Sequence, residues 1–297
     1  METELEKYEK VGKIAAKVRQ YAEGLVKENA SLLEMAKSIE KKINDLGAKP
    51  AFPVNISINE IAAHYSPKYN DITVLKKGDL VKVDFGVHID GYPADTAFSA
   101  SVGKNEENEK MIMASRAALD AAISAVKPGV KVSDIGKKIE AAAEQSNLQV
   151  IRNLSGHGIT RYDLHTEPSI PNFDNNDSTK LEEDELIAIE PFITNGKGFV
   201  IEGEQCEIYM LRHAAPMRDK EILDFIRKEY STLPFAKRWL IEKFGLMKVS
   251  LFLKEAVSRN ILHPYHILKE VSGAKIAQTE HTIWVAKSVK ILTAQKD

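Results

Sequence analysis

The chain has 297 residues, 43% of them hydrophobic and 28% charged, with a formal net charge of -2; that describes a globular protein long enough to bury a sizeable core in one large domain or two small ones. The charge balance provides no net positive field for nucleic acid or an anionic membrane, and the lone Cys206 excludes an intramolecular disulfide and fits a reducing compartment. Apolar runs are too short to span a bilayer, and the leading METELEKYEKVGK is acidic and polar where a signal peptide would be basic and then apolar, so a cytoplasmic protein is expected.

Apolar residues at Tyr8, Val11, Ile14, Ala15, Val18, Ala22 and Leu25 recur at three-to-four spacing and predict an amphipathic helix from Tyr8 to Val26. Ser31 followed by Glu34 has capping-box spacing and opens a second helix, with Leu32, Met35, Ala36, Ile39 and Ile43 inward and a stop at Gly47. Next comes VDFGVHIDGYPADTAFS, residues 83–99, two strand-like runs around an Asp90-Gly91 turn signal. Asp84 and Asp95 are symmetric about position 89.5, so a short loop there makes them cross-strand neighbours on one face. Like charges so placed repel unless a cation sits between them, and a divalent ion is the simplest answer.

The pattern then returns. VKENASLLEMAKSIE (26–40) lies over VKPGVKVSDIGKKIE (126–140), NIS (55–57) is answered by NLS (153–155), and LKKGDLVKVDF (75–85) by LEEDELIAIEP (181–191), which puts Asp84 on Glu190. A repeat this long reads as a duplicated helix-helix-strand-strand half, and two halves would bring equivalent carboxylates toward a shared axis. The plainer alternative is that two independent segments share only generic patterning. Glu190 in LIAIEPF and Glu280 in AQTEHTIWV are embedded in apolar strands, where an unpaired carboxylate is costly. NLSGHGITRYDLHTEP adds His157 between two glycines, and His165.

From about residue 216 the texture turns charged and helical, with Pro234 and Pro264 as breaks, before a strand-like carboxyl end. The expected organisation is a catalytic unit of 1–215 and 271–297 with a helical insertion over 216–270. Asp84, Asp95, His157, Glu190 and Glu280 together form an oxygen-rich set with one imidazole, whose four negative charges two divalent cations would neutralise. Such a pair performs metal-assisted amide hydrolysis. His281 alternates away from the face of Glu280; His213, His263 and His266 read as surface or packing residues, and the glycines at 196 and 198 as a turn signal.

These motifs, with KPAFPVNISINEIAAHYSP, AIEPFITNGKG and EYSTLPFAKRWL, run along essentially the whole chain, which thereby resembles the type 2 methionine aminopeptidases of the archaeal kind. The resemblance implies an α+β pita-bread fold, two pseudo-symmetric αα-ββ halves over a dinuclear centre of cobalt, manganese, iron or zinc, with the insertion folding as a small winged-helix-like subdomain. It implies that Asp84 chelates one metal, Asp95 and Glu280 bridge both, and His157 and Glu190 complete the other shell. Glu190 would also move the water proton. His64 would contact the substrate near the scissile amide, His165 would stabilise the tetrahedral intermediate, and Phe52, Leu164 and Tyr265 would line or close the methionine pocket.

The implied substrate is the amino-terminal methionine of nascent chains with a small second residue. The implied state is a monomer that docks transiently near the ribosome and binds no specific nucleic acid or membrane. Prolidases and aminopeptidase P share the ligand set but usually carry an extra amino-terminal domain. Relatives that have lost their ligands act as interaction or RNA-binding proteins. Lys237, Arg238, Lys243 and Lys248 could serve such a role, although a solvated helix face is the expectation for them. Two features depart from the family pattern or stand out beside it: Thr279 occupies a place commonly held by Phe, and Cys206, expected to be buried, lies in the acidic stretch EGEQCEIYML.

Overall fold

A computed structural model describes residues 3–294, so residues 1–2 and 295–297 of the expected catalytic unit lie outside the described residues. In the first half α1 (Glu4–Glu23) and α2 (Leu32–Asp45) lead into β1 (Lys49–Pro50), β2 (Asn55–Ile58), β3 (Ile61–Ala63) and a hairpin of β4 (Leu80–Ile89) and β5 (Tyr92–Ser101). In the second, α3 (Glu106–Ala125) and α4 (Val132–Gln145) lead into β6 (Gln149–Val150), β7 (Ser155–Thr160), β8 (Asp163–Pro171), β9 (Leu186–Ile189) and β10 (Phe192–Thr194). The strand β11 (Val200–Leu211) precedes α5 (Lys220–Glu229), β12 (Phe235–Ala236), α6 (Lys237–Phe244), α7 (Leu246–Ser258) and β13 (Leu262–Glu270). The chain closes with β14 (Ile276–Gln278), β15 (Glu280–Trp284) and β16 (Lys290–Ile291).

Helix α1 starts earlier than its apolar spacing suggests, because Thr3 and Glu6 build a reciprocal capping box that satisfies the first free N–H groups. It also ends at Glu23, leaving Leu25 and Val26 to pack at the edge of the core from the following turn. Ser31 caps α2 by accepting from the Glu34 N–H, and Gly47 adopts φ 79 just beyond its end. Helices α2 and α4, and strands β1 and β6, begin one hundred residues apart, the interval of the sequence repeat.

Among the described residues nine strands form the central sheet, in the order β1-β4-β5-β15-β9-β7-β8, with β2 on β4 and β16 on β15. β15 thus forms the seam between a first-half strand and a second-half strand. Alternation along each strand sorts the two faces. Val81, Val83, Phe85 and Val87 of β4 join Val11, Val18 and Ile39 in one core, and Ile187, Ile189 and Ile283 join Leu119, Ile135 and Ile139 in an equivalent one. The intervening residues, Asp84, Glu280 and the residue after β9, Glu190, are left to the face away from the helices.

A third core holds Ile222, Ile226, Phe235, Leu240, Val249 and Phe252 together with Tyr209 and Leu211 of β11. Strands β12 and β13 interrupt the helical period of this segment, and β13 runs between β11 and β3, which leads to His64. One expectation is corrected here. Arg238 is 1% exposed and belongs to no solvated basic face, because its guanidinium is paired inside the fold with Glu40 of α2.

Candidate active site

Strand register assembles the site in rows. Asp84 lies opposite Asn55 on one side and Ala97 on the other, and Ala97 lies opposite Glu280. His281 lies opposite Ile189, which brings the next residue of that strand's path, Glu190, alongside Glu280. One step along, Gly86 lies opposite Asp95, and the Asp95 N–H donates to the Thr282 hydroxyl at 2.7 Å. Thr282 lies opposite Ala188, and Ala188 opposite His157. Two adjacent rows thereby present four carboxylates and one imidazole on a single face.

The hairpin register corrects the expected pairing of the two aspartates. They are diagonal, not directly opposite, because Asp90 (φ 52) and Gly91 (φ 81) form the two-residue turn and centre it one residue later than position 89.5. Both loop residues take the left-handed conformation that a type I′ turn demands, so the Asp-Gly signal itself sets the register. Parity is preserved, and both carboxylates still share one face.

The ligand atoms of Asp95, His157 and Glu280 all lie within 4.8 Å of one another. His157 Nδ1 is 3.2 Å from the Gly158 carbonyl, which can only accept, so Nδ1 carries the proton and Nε2 keeps its lone pair. That Nε2 stands 3.9 Å from Asp95 Oδ2 and 4.0 Å from Glu190 Oε1. Burial lowers the His157 pKa to about 4, so the ring is neutral near pH 7.

Burial raises every carboxyl pKa in the cluster, that of Asp84 to about 7, and mutual repulsion raises those of Asp95, Glu190 and Glu280 further. Asp84 Oδ1, Asp95 Oδ1 and Glu280 Oε1 are buried with no hydrogen-bond partner. Stranding three such oxygens costs on the order of 1–3 kcal/mol each or more, and cations among them remove that cost. Hard carboxylate oxygens with one imidazole nitrogen are a suitable donor set for first-row divalent ions. The residues therefore fit a divalent centre.

This cluster forms the floor of a cavity of about 380 Å³. Phe52, Leu164 and Leu233 make an apolar cluster at one side, and a Cβ on Gly86 would stand 2.4 Å from the Phe52 ring, so glycine is what lets Phe52 lie over the strand. His64, His165 and Tyr265 line the cavity as well, with ring centroids 5.3 Å apart for His64 and Tyr265 and 4.5 Å for His157 and His165. His64 Nδ1 is 3.0 Å from the His266 carbonyl, so by the same logic Nε2 is the free acceptor. Burial brings the His64 pKa to about 4. His165 opens to solvent through the cavity, yet the surrounding protein and then neighbouring His157 lower its pKa to about 3.

Two polar residues of the site carried no assignment from sequence. Asn55 is 3% exposed, lines the cavity beside Asp84, and has an unpartnered Oδ1. Gln278 donates from Nε2 to Glu190 Oε2 at 3.1 Å; it shares parity with Glu280, and that spacing was the available signal. His281 bonds Thr293 at 2.8 Å on the far face, while His263 joins the site's border by stacking edge-on to Tyr265 at 4.7 Å. Thr279 pairs its hydroxyl with that of Ser115 at 2.7 Å, a buried contact a Phe could not make. Cys206 is half-buried rather than buried, facing a groove beside Lys254 and His266, and burial pushes its thiol pKa up.

The pattern of metallopeptidase family M24 matches residues 6–216. A methionine aminopeptidase of Pyrococcus abyssi is 46% identical over 296 residues, covering 98% of this chain and 100% of that protein. The crystal structure of methionine aminopeptidase from Rickettsia prowazekii superposes with a TM-score of 0.73 at 26% identity, over 99% of this chain and 98% of that one. A thermophilic Arx1 superposes with a TM-score of 0.87 at 15% identity, over 99% and 91% of the two chains, a likeness of fold alone.

Proposed function

The chain belongs to metallopeptidase family M24, and from that premise we propose that its cavity takes the amino-terminal methionine of a peptide and releases it by hydrolysis of the first peptide bond, preferentially when the second residue is small. One observation carries this reading: three stranded carboxylate oxygens and a neutral imidazole converge at the floor of a cavity with an apolar side. Asp84, Asp95, His157, Glu190 and Glu280 would hold the divalent metal, a pair of ions balancing the charge of their four carboxylates. Cobalt, manganese, iron and zinc all suit these donors. When bound, such a pair supplies a nucleophilic water at neutral pH and polarises the scissile carbonyl.

The chain's own groups do the rest. Phe52 and Leu164 receive the methionine side chain, and Tyr265 borders it. His64, with its Nδ1 proton committed to His266, offers Nε2 to the scissile amide N–H. Glu190 takes the water proton while Gln278 holds its other oxygen. His165, neutral near pH 7, donates a hydrogen bond to the developing oxyanion without carrying charge. The segment 216–270 supports assignment to the type 2 subclass. Among the described residues no helix is long and apolar enough to cross a membrane.

Metal-reconstituted protein should release methionine from Met-Ala-Ser, leave Leu-Ala-Ser largely intact and leave Ala-Pro-Ser untouched, as read by mass spectrometry. Cleavage of Ala-Pro-Ser instead would move the chain to the prolyl peptidases of the same fold. Gly86→Ala is expected to drive Phe52 into the pocket and raise KM for Met-Ala-Ser by roughly tenfold or more, the scale of a one-methylene misfit in an apolar pocket. An unchanged KM would remove Phe52 from the pocket wall.

A further inference from the structure

His64 adopts φ 65, a left-handed conformation that disfavours a residue with a side chain and persists only where surroundings enforce it. The enforcement comes from several directions. Ile56 N donates to Tyr65 O at 2.8 Å, Ser66 N donates to His64 O at 3.2 Å, and His64 Nδ1 donates to the His266 carbonyl of β13 at 3.0 Å. Ser66 is fully buried, and its hydroxyl accepts from Arg238 Nη1 at 3.0 Å.

Arg238 lies in the first turn of α6 and Glu40 on α2, and the two pair inside the fold. Glu40 also accepts from Val54 N at 3.3 Å and from Trp239 Nε1 at 3.0 Å. A buried ion pair gains little stability over apolar residues of the same shape, because desolvation offsets the attraction. A role besides stability is therefore sought for the pair: the guanidinium also lies over the Trp239 ring, 5.5 Å from its centroid, and among the described residues its other hydrogen bond goes to the Ser66 hydroxyl.

We propose that Arg238 is a positioning residue for His64: anchored by Glu40, it fixes Ser66 and, through Ser66, the left-handed backbone that aims the His64 imidazole into the cavity. On this account the segment 216–270 places two restraints on one ring, the His266 carbonyl and the Arg238 guanidinium. The proposal rests on reading His64 as a substrate contact, and a double-mutant cycle separates the two claims.

Ser66→Ala removes the hydroxyl and leaves the Arg238–Glu40 pair intact. Arg238→Met combined with Glu40→Gln removes the guanidinium without stranding a buried charge and keeps one acceptor oxygen for Val54 N or Trp239 Nε1, which bond different oxygens of Glu40. Both variants are expected to lower kcat for Met-Ala-Ser roughly tenfold, about the loss of one buried hydrogen bond, with KM little changed. In a His64→Ala background the same changes should alter kcat by less than about twofold, because the ring they aim is gone.

Equal losses in both backgrounds, or no loss in either, overturn the positioning role. Full activity of His64→Ala alone would overturn the substrate-contact reading, and the proposal with it. Should the Arg238→Met and Glu40→Gln combination fail to fold, Ser66→Ala decides the matter alone.

Discussion

Asp95→Asn is expected to lose methionine release by more than about a hundredfold while the metal-free protein becomes more stable. The activity loss follows from position. Asp95 Oδ2 faces His157 Nε2 at 3.9 Å, and its ligand atom groups with those of His157 and Glu280, so its loss breaks up that three-residue group. Changes one shell further out typically cost 10- to 100-fold, and a ligand itself should cost more.

The stability gain follows from charge. Burial, then Asp84 and Glu190, raise the Asp95 pKa well above its ordinary value. A carboxyl with a raised folded pKa contributes stability below its unfolded pKa near 4 and loses it as pH rises through the folded pKa. Asparagine has no charge to bury, so in chelator its melting temperature should exceed that of the unaltered chain at pH 8 and converge with it near pH 4. A variant that melts lower at pH 8 would mean the carboxylate is compensated by something other than metal.

The second large effect is metal removal. Chelation should abolish turnover, and adding a divalent ion back at pH 8 should raise the melting temperature by several degrees. At a hundredfold excess over Kd the linkage amounts to about 2.7 kcal/mol per site, roughly 4 °C for a chain of this size. The same addition at pH 5 should do much less, since Asp84, with its pKa raised to about 7, and its neighbours with raised values then hold the protons that metal must displace. Equal metal-induced shifts at the two pH values would indicate binding outside the carboxylate cluster.

Assignment to family M24 and the presence of close methionine aminopeptidase relatives agree with the activity expected from the motifs. The alternative of two unrelated segments is set aside by the equal spacing of α2 with α4 and of β1 with β6. Duplication has a direct consequence for the site. The repeat-equivalent strands β4 and β9 lie on either side of the central β5–β15 pair, so Asp84 and Glu190, matched in sequence, approach Glu280 from opposite sides.

What sequence alone determined is whatever rests on local period and local chemistry. Three-to-four spacing with Ser31 and Gly47 marks α2, the hundred-residue repeat marks two halves, and carboxylates inside apolar strands mark Glu190 and Glu280 as out of place unless compensated. Even the hairpin register was present in Asp90-Gly91, although symmetry about position 89.5 pointed one residue short.

Only the tertiary structure decided the rest, because register between distant strands depends on how cores pack and leaves no trace in any short window. Asn55 becomes part of the site through its place opposite Asp84. Arg238 reads as one more charge on a helix until Glu40 and Ser66, brought from the far half of the chain, enclose it. Desolvation by that enclosure, which no window of sequence contains, is what turns an ordinary cation into a buried strut and four ordinary acids into a cluster whose donors suit a divalent ion.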